Sequence, residues 1–427
     1  MQTKELLTEL FDTALESVKP KNLIKKHCRL EGSVLHIDND MYELMDFENV
    51  YILGSGKASL SMAEALEELI LEYIHSGLVV APKKDKKLVK IECLEADHPL
   101  PTQRSLDSAE ALMKKMQECT KNDLYIYLLS GGSSALIEQP VEGITLNDFQ
   151  KTTELMLKNA LKISEINAVR KHLSSIKGGR LGEFSKAKGV VLTISDVIGD
   201  DLYSIGSAPL YADTSSYEDV LEILHRYKMF HELPSCVQTV LNEGANHMRA
   251  ETPKEPSPHI KHYLIGTNAL ARKAVYEKAM LMGLEVKIID EDIDSDVILA
   301  SQKMLDFSLA SKEKVLVFGG ETTVMVKGDG NGGRNQHSVL SMLKLTHEKG
   351  MNIAFLSAGT DGIDGNSDAA GAYIDKTSFS DAQMQGLDLD AYLNNNDSYH
   401  FFKKLDSLIM TGPTGTNVMD IAILIKE

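Results

Sequence analysis

The stretch Tyr51-Ile52-Leu53-Gly54-Ser55-Gly56-Lys57-Ala58-Ser59, YILGSGKAS, decides the fold. An apolar run stops at two glycines, and a lysine then opens a run with helical spacing. A buried strand that turns straight into a helix is the building unit of α/β sheets, whose ligands collect at the carboxyl ends of the strands. Glycines let backbone N–H groups approach such a ligand, and a helix start and a lysine both favour an anion. The stretch is not the Walker A pattern, whose glycines stand further apart and end in Gly-Lys-Ser/Thr. It is not the complete dinucleotide fingerprint either, because Ser59 stands where the third glycine belongs.

The same grammar continues outward. In the first half, SGLVVAP, DLYIYLLSGG and KGVVLTISD read as strands, and ASLSMAEALEELILEYI, DSAEALMKKMQEC and TLNDFQKTTELMLKNAL as helices. Short apolar runs bounded by Gly and Ser, each followed by a helical period, predict βα units and a mostly parallel sheet. The second half alternates again. HYLIGTN, LEVKIID, EKVLVFGGE, TVMVKGDG, NIAFLSAGTDG and DIAILIK read as strands, and ALARKAVYEKAMLMG and NQHSVLSMLKLTHE as helices. Residues 244–260, GANHMRAETPKEPSPHI, are polar, proline-containing and aperiodic, which predicts a linker. A chain of 427 residues is too long for a single core. The expected division is a domain over 1–243, the linker 244–260, and a second α/β domain over 261–427.

The formal net charge of −17 argues against a nucleic-acid binder, which would usually carry a basic surface. Four cysteines without CxxC or Cys/His spacing fit neither a disulfide framework nor a zinc site, and a reducing, cytoplasmic setting is expected. The N-terminal MQTKELLTELFDTAL is an amphipathic helix with acidic residues, unlike a signal peptide, and no apolar run approaches a membrane span.

An acidic protein that handles anions must place its cations locally, so the strand ends carry the chemistry. After YIYLLS come Gly131-Gly132-Ser133-Ser134, and after VVLTIS the cluster Asp196 to Asp201 with Asp200 inside it. Glu321 follows VLVFGG. A literal GxGxxG at Gly328, Gly330 and Gly333 runs into Gly332-Gly333-Arg334-Asn335. Asp361, Asp364 and Asp368 follow AFLSAG, and TGPTGTNVMD ends at Asp420. Any one of these loops could be a tight or capped turn. His98 reads as a turn residue and His337 as a surface residue at a helix start. Together, glycine nests with Lys and Arg suit phosphate oxygens, and aspartates suit Mg²⁺. Phosphoryl transfer is mostly positioning and charge stabilisation and needs this inventory. The residues therefore predict a nucleotide-dependent phosphotransferase.

GSGKAS, DHPLP, LLSGGSSAL, INAVRKHLSSIKGGRL, SDVIGDD, GGETTV, GGRNQ, LSAGTDGIDG, DAAGA and TGPTGTNVMD occur in this order, and over nearly the whole chain the sequence resembles the glycerate 2-kinases of the MOFRL type, some of which were once called hydroxypyruvate reductases. The resemblance implies ATP-dependent phosphorylation of D-glycerate at its 2-hydroxyl, with ATP and Mg²⁺ as cofactors. It implies a Rossmann-like N-terminal domain and a C-terminal MOFRL domain with the site in the cleft between them. Its active-site lysine and arginine fall on Lys57 and Arg334, taken as a clamp on the transferring phosphoryl from opposite domains. Asp196 and Asp361 match its acidic positions, Asp196 as general base or Mg²⁺ ligand and Asp361 as metal or nucleotide contact. Gly54, Ser55, Gly56, Ser130, Gly131, Gly132, Ser133, Ser134, Gly332, Gly333 and Asn335 are then expected around phosphate, with Arg170 on the substrate carboxylate. Asp200, Glu321 and Asn417 are further nucleotide or metal candidates. The partners expected are small molecules, with no nucleic acid or membrane and room left for a homo-oligomer.

The chain departs from the family at Ser207-Ala208-Pro209-Leu210, at Gly365-Asn366-Ser367 and at His337, which leaves a related small hydroxy acid as an alternative substrate. An NAD(P)H-dependent hydroxypyruvate reductase is the other alternative. It would want an acidic ribose contact about twenty residues after the first glycine, where Glu72 stands within a helical period.

Overall fold

The structure, a computed structural model, describes residues 3–427. The chain forms two compact units: Ile24–Ile265, and Gly266–Glu427 together with the residues through Leu23. This differs from the linear division expected above. The amphipathic first helix, Thr3–Ser17, buries Leu7, Leu10, Phe11, Ala14 and Leu15 in the unit formed by the far end of the chain. Residues 244–260 are not a linker. They belong wholly to the first unit, where Thr252 is buried and the Glu251 carboxylate accepts hydrogen bonds from His172 Nε2 and the Tyr217 and Thr252 N–H groups.

The first unit opens with three short antiparallel strands, β1 (Cys28–Glu31), β2 (Val34–Ile37) and β3 (Asp40–Glu43). Its main sheet contains β4 (Val50–Ser55), β5 (Ile74–Ala81), β6 (Ile91–Glu95), β7 (Leu124–Leu129), β8 (Lys188–Ile194) and β9 (Ile260–Gly266), in the spatial order β6-β5-β4-β7-β8-β9. From β6 to β8 all pairings are parallel. β4 and β7 are buried at every position, as the continuous apolar runs require of strands covered on both faces. The chain moves from β4 outward to β6, then returns to β7 on the other side of β4. The reversal makes the β4/β7 boundary a topological switch point, where the carboxyl ends of the strands leave a crevice.

The second unit has a mixed sheet: β10 (Val286–Ile288), β11 (Val315–Gly320), β12 (Ile353–Gly359), β13 (Gly371–Ile374), β14 (Leu408–Ile409) and β15 (Asp420–Lys426), in the order β10-β11-β15-β12-β13-β14. Only β10 and β11 pair in parallel, since β15 runs antiparallel to both β11 and β12. Asp420, the first residue of β15, lies opposite Gly320 and Gly359, the last residues of β11 and β12. One sheet edge thus gathers Glu321, Asp420 and Asp361. The stretch TVMVKGDG, expected as a strand, is instead an irregular segment with a single bridge at Thr323. Met325 and Val326 are exposed there, and the Asn395 and Asn396 side chains accept from the N–H groups of Lys327, Gly328 and Asp329.

Candidate active site

In the first unit, the turn after β4 and the turn after β7 interlock at the switch point. The Lys57 N–H donates to the Gly131 carbonyl (2.8 Å), and the Ala58 N–H donates to Ser130 Oγ (2.9 Å). Gly56 has φ +138°, a conformation that L side chains rarely adopt, and a Cβ there would meet Ser130. Ser55, buried, bonds through its hydroxyl to Tyr127 and to Ser133. Of the residues expected on phosphate, Gly54 is interior to β4, and Ser55, Ser130 and Ser133 hold the loops to each other. The surface offered to a ligand is Lys57, Gly132 and Ser134.

Asp196 comes to the same place from the end of β8. A methyl group on Gly131 would lie 1.7 Å from Asp196 Oδ2, so the carboxylate rests against the glycine Cα. On the other side of this loop, a Cβ on Gly132 would lie 3.1 Å from Lys57 Cγ and 3.2 Å from His98 Cδ2. The structure therefore brings together Lys57, Asp196 and His98 around Gly131-Gly132. His98 is more than the turn residue the sequence suggested. Partial burial of its ring, with the Lys57 charge beside it, pushes the imidazole down to about 4.

Beneath the loop lies an ion pair that sequence reasoning missed. Lys177 Nζ donates to the Glu138 carboxylate and to the Ile137 carbonyl, and both side chains are almost wholly buried. Burial pushes the ammonium down to about 8, against the pull of Glu138. Arg170 stands next to them over the Phe149 ring, and its Nη2 donates to the Ser134 carbonyl (3.0 Å). Its guanidinium is thus engaged in holding the loop, and a substrate carboxylate would have to share it. Nothing in LIEQ or in the polar run RKHLSSIKGGR marks Glu138 and Lys177 as a buried pair, since they lie 39 residues apart in the chain. Asp200 lies in the cluster after β8 with φ +57°.

In the second unit, Arg334 opens the helix Arg334–Glu348. Asp420 takes its Nε (2.6 Å) and Nη2 (3.0 Å) in bidentate fashion, and Glu321 takes Nη1 (2.7 Å). Burial works against the guanidinium charge, but the two carboxylates outweigh it and hold the pKa above the ordinary arginine value. Glu321 was expected on nucleotide or metal; here it fixes an arginine. The pairing of Asp420 with Arg334 was missed because the two lie 86 residues apart in the chain.

The Gly332-Gly333 segment is also different from the expected phosphate nest. The buried Asp364 carboxylate accepts from the Asn335 (3.1 Å) and Gln336 (2.8 Å) N–H groups at the helix start, and the Gly332 N–H donates to Asn366 Oδ1. These donors are already satisfied by the chain itself. Asn335 is buried as well, donating to Asp364 and accepting from Ser357. Burial raises Asp364 to about 6 despite its two backbone donors. Gly328 and Gly330 pack on Asn395 and Asp397, so the GxGxxG here is a loop anchor. Asp361 Oδ1 accepts from the Ile363 N–H, and Asn417 Oδ1 from the Met419 N–H. His337, expected at the surface, is buried, 5% exposed.

Among the described residues, no three His, Cys, Asp or Glu side chains converge as a ready-made metal site. Mg²⁺ is usually held by one or two carboxylates together with phosphate oxygens and water, so single carboxylates such as Asp196 and Asp361 have the right donor chemistry for it. No helix among the described residues is long and apolar enough to cross a membrane.

Two family patterns match the chain: a domain described as "Domain of unknown function (DUF4147)" over residues 6–242, and the MOFRL family over 314–420. The chain is 34% identical to a glycerate 2-kinase of Pyrococcus horikoshii, over 100% of this chain and 98% of that protein. It is 35% identical to a D-glycerate 2-kinase of Thermotoga maritima, over 98% and 97%. A putative hydroxypyruvate reductase of Agrobacterium vitis is 34% identical over 100% and 95%. The crystal structure of a Thermotoga maritima glycerate kinase superposes with a TM-score of 0.85 at 35% identity, covering 99% of each chain. These relatives place the chain among the phosphotransferases with an alcohol group as acceptor. The chain is a member of the glycerate 2-kinase family, with its DUF4147 and MOFRL domains.

Proposed function

We propose that the protein transfers the γ-phosphoryl group of ATP to the 2-hydroxyl of D-glycerate. One observation carries the reading: Lys57 and Asp196 meet around the Gly131-Gly132 turn at the switch point of the parallel sheet, a cation and a base on a loop shaped for oxyanions. In this reading Asp196 takes the proton of the attacking hydroxyl. Lys57 stabilises the charge on the phosphoryl oxygens as the bond to the leaving oxygen lengthens. Neutral His98 leaves that ammonium without a second positive charge beside it.

Arg334 is the second cation. Three of its five N–H donors are engaged by Asp420 and Glu321, which fixes the guanidinium plane and leaves two donors for a phosphoryl or carboxylate oxygen. With Asp196 as the base, Asp361 has the donor chemistry that would hold Mg²⁺, which when bound neutralises nucleotide phosphates. The reductase alternative gains nothing from Glu72, which lies in the turn after the helix Ser59–Ile70 and not at a strand end. Four unpaired thiols, three of them buried, support a cytoplasmic setting; recovery of the protein from a secreted fraction would contradict it.

The test is turnover of ATP with D-glycerate and Mg²⁺, with product followed through enolase without added mutase. The expected result is an enolase signal that Lys57→Ala and Asp196→Asn abolish. ADP without that signal would move the phosphate to the other hydroxyl. NADH consumption on hydroxypyruvate without ADP formation would overturn the kinase reading. A related hydroxy acid turned over faster than D-glycerate would replace the substrate and keep the chemistry.

A further inference from the structure

We propose that a cavity of about 350 Å³ within the second unit seats the purine ring of the nucleotide, an inference that rests on the kinase reading above. The cavity lies between the helix Arg334–Glu348, the irregular segment after Thr323, and the segment around Leu393. Its size falls within the range of small-molecule sites.

His337 and Ser341 line the cavity from one face of the helix, four residues apart. Each residue is only 5% exposed, yet His337 Nδ1 and Ser341 Oγ have no hydrogen-bond partner among the described residues. Buried polar atoms without partners are rare and costly, so two of them on one cavity wall point to an occupant that supplies partners. Burial lowers the imidazole pKa, so the ring is neutral and offers one nitrogen as donor or acceptor beside a hydroxyl that can do either.

The rest of the lining is mixed: Val297, Val324 and Leu393 give apolar contact, and Asp296, Glu348 and Asp390 add negative charge against Lys327. Met325 is exposed, where its polarisable sulfur can meet a ring edge. Lys344 lines the cavity but is engaged by Asp390. An uncharged planar ring with polar edges fits this surface, and a small carboxylate such as glycerate does not. The phosphates also have a place to go. Arg334 precedes His337 by three residues on the same helix, so the residue that the reading assigns to phosphate stands one helical turn before a residue that lines the cavity.

The test fills the cavity with Ser341→Leu and, separately, removes the imidazole with His337→Phe. Binding of ADP, adenosine and inorganic tripolyphosphate to the full chain is measured by calorimetry, alongside ATP-dependent phosphorylation of D-glycerate by the unaltered protein. The expected result is ADP and adenosine binding weakened at least tenfold in both variants, with tripolyphosphate binding within twofold of the unaltered protein. ADP binding within twofold in both variants overturns the inference. So does parallel loss of tripolyphosphate binding, because a purine seat has no hold on a chain of phosphates without a base. If the unaltered protein phosphorylates D-glycerate while the variants bind ADP normally, the purine seat falls and the kinase reading stands. If adenosine binding depends on Ser341 and no phosphorylation occurs, the kinase reading falls and the purine seat stands.

Discussion

Gly131→Ala tests the site by moving one carboxylate. The added methyl group would lie 1.7 Å from Asp196 Oδ2 and 2.2 Å from its Cγ, where ordinary contact begins at 3.4 Å. The difference, 3.4 − 1.7 = 1.7 Å, is the shift the carboxylate must make. Gly131 itself needs no unusual backbone conformation, since its φ is not positive, so the strain falls on Asp196 and the fold is retained. A catalytic group misplaced by about 1 Å costs on the order of 10²-fold in rate. The expected loss in kcat is therefore at least about 10²-fold, or roughly 2.7 kcal/mol of barrier. The assay is steady-state phosphorylation of D-glycerate, with thermal unfolding and circular dichroism to confirm the fold. Asp196→Asn should cost a comparable amount, and the double variant little more than either, because both changes remove the same function. A folded Gly131→Ala protein within threefold of normal kcat would refute the role given to Asp196. Additive losses in the double variant would refute the claim that the glycine acts through that carboxylate.

Arg334→Lys keeps the charge but loses the planar fork that Asp420 and Glu321 hold, and kcat/KM should fall on the order of 10²-fold or more; a tenfold change or less would mean that charge alone suffices. Glu138→Gln leaves the Lys177 ammonium buried without its counter-charge, and urea unfolding should show a loss of about 3–5 kcal/mol, with less than about 1 kcal/mol contradicting the pairing. Asp364 has its folded pKa raised from 3.8 to about 6, so the folded state binds the extra proton between those values and stability falls as pH rises through that window. The displacement is worth roughly 3 kcal/mol, and urea midpoints at pH 4 and pH 7 should differ less in Asp364→Asn than in the unaltered protein. Equal pH dependence in the two would remove Asp364 as the source.

The first half of the site was legible because its chemistry sits where local sequence shows it. Lys57, Gly131 and Asp196 each follow an apolar run directly, and in a parallel sheet three such ends lie side by side. The second half was less legible because its partners come from distant segments. Nothing near Arg334 announces Asp420 or Asp364, and the glycines before it look the same whether their N–H groups meet a phosphate or a carboxylate of the chain. TVMVKGDG has the valines of a strand, but an unpaired run held by asparagine side chains carries the same residues. The periodicity of the first helix foretold a buried face and could not say what would cover it. His337 looked external because its helix is polar around it, whereas that turn faces inward.

The start of the first helix lies beside the last residue: Thr3 Oγ1 donates to Glu427 Oε1 at 2.6 Å, and Lys278 pairs with Glu9 further along that helix. During synthesis the apolar face of that helix emerges well before its cover, since the helix Asn268–Leu281 on which it packs is made some 250 residues later. At roughly 5–20 residues per second, translation leaves that face uncovered for many seconds while Ile24–Ile265 completes its own sheets. The first unit is, in effect, an insertion within the second. A circular permutant that joins Glu427 to the N-terminus through a short linker and opens the chain between Leu23 and Ile24 would make each unit continuous, and its first helix would follow its partner off the ribosome instead of waiting for it.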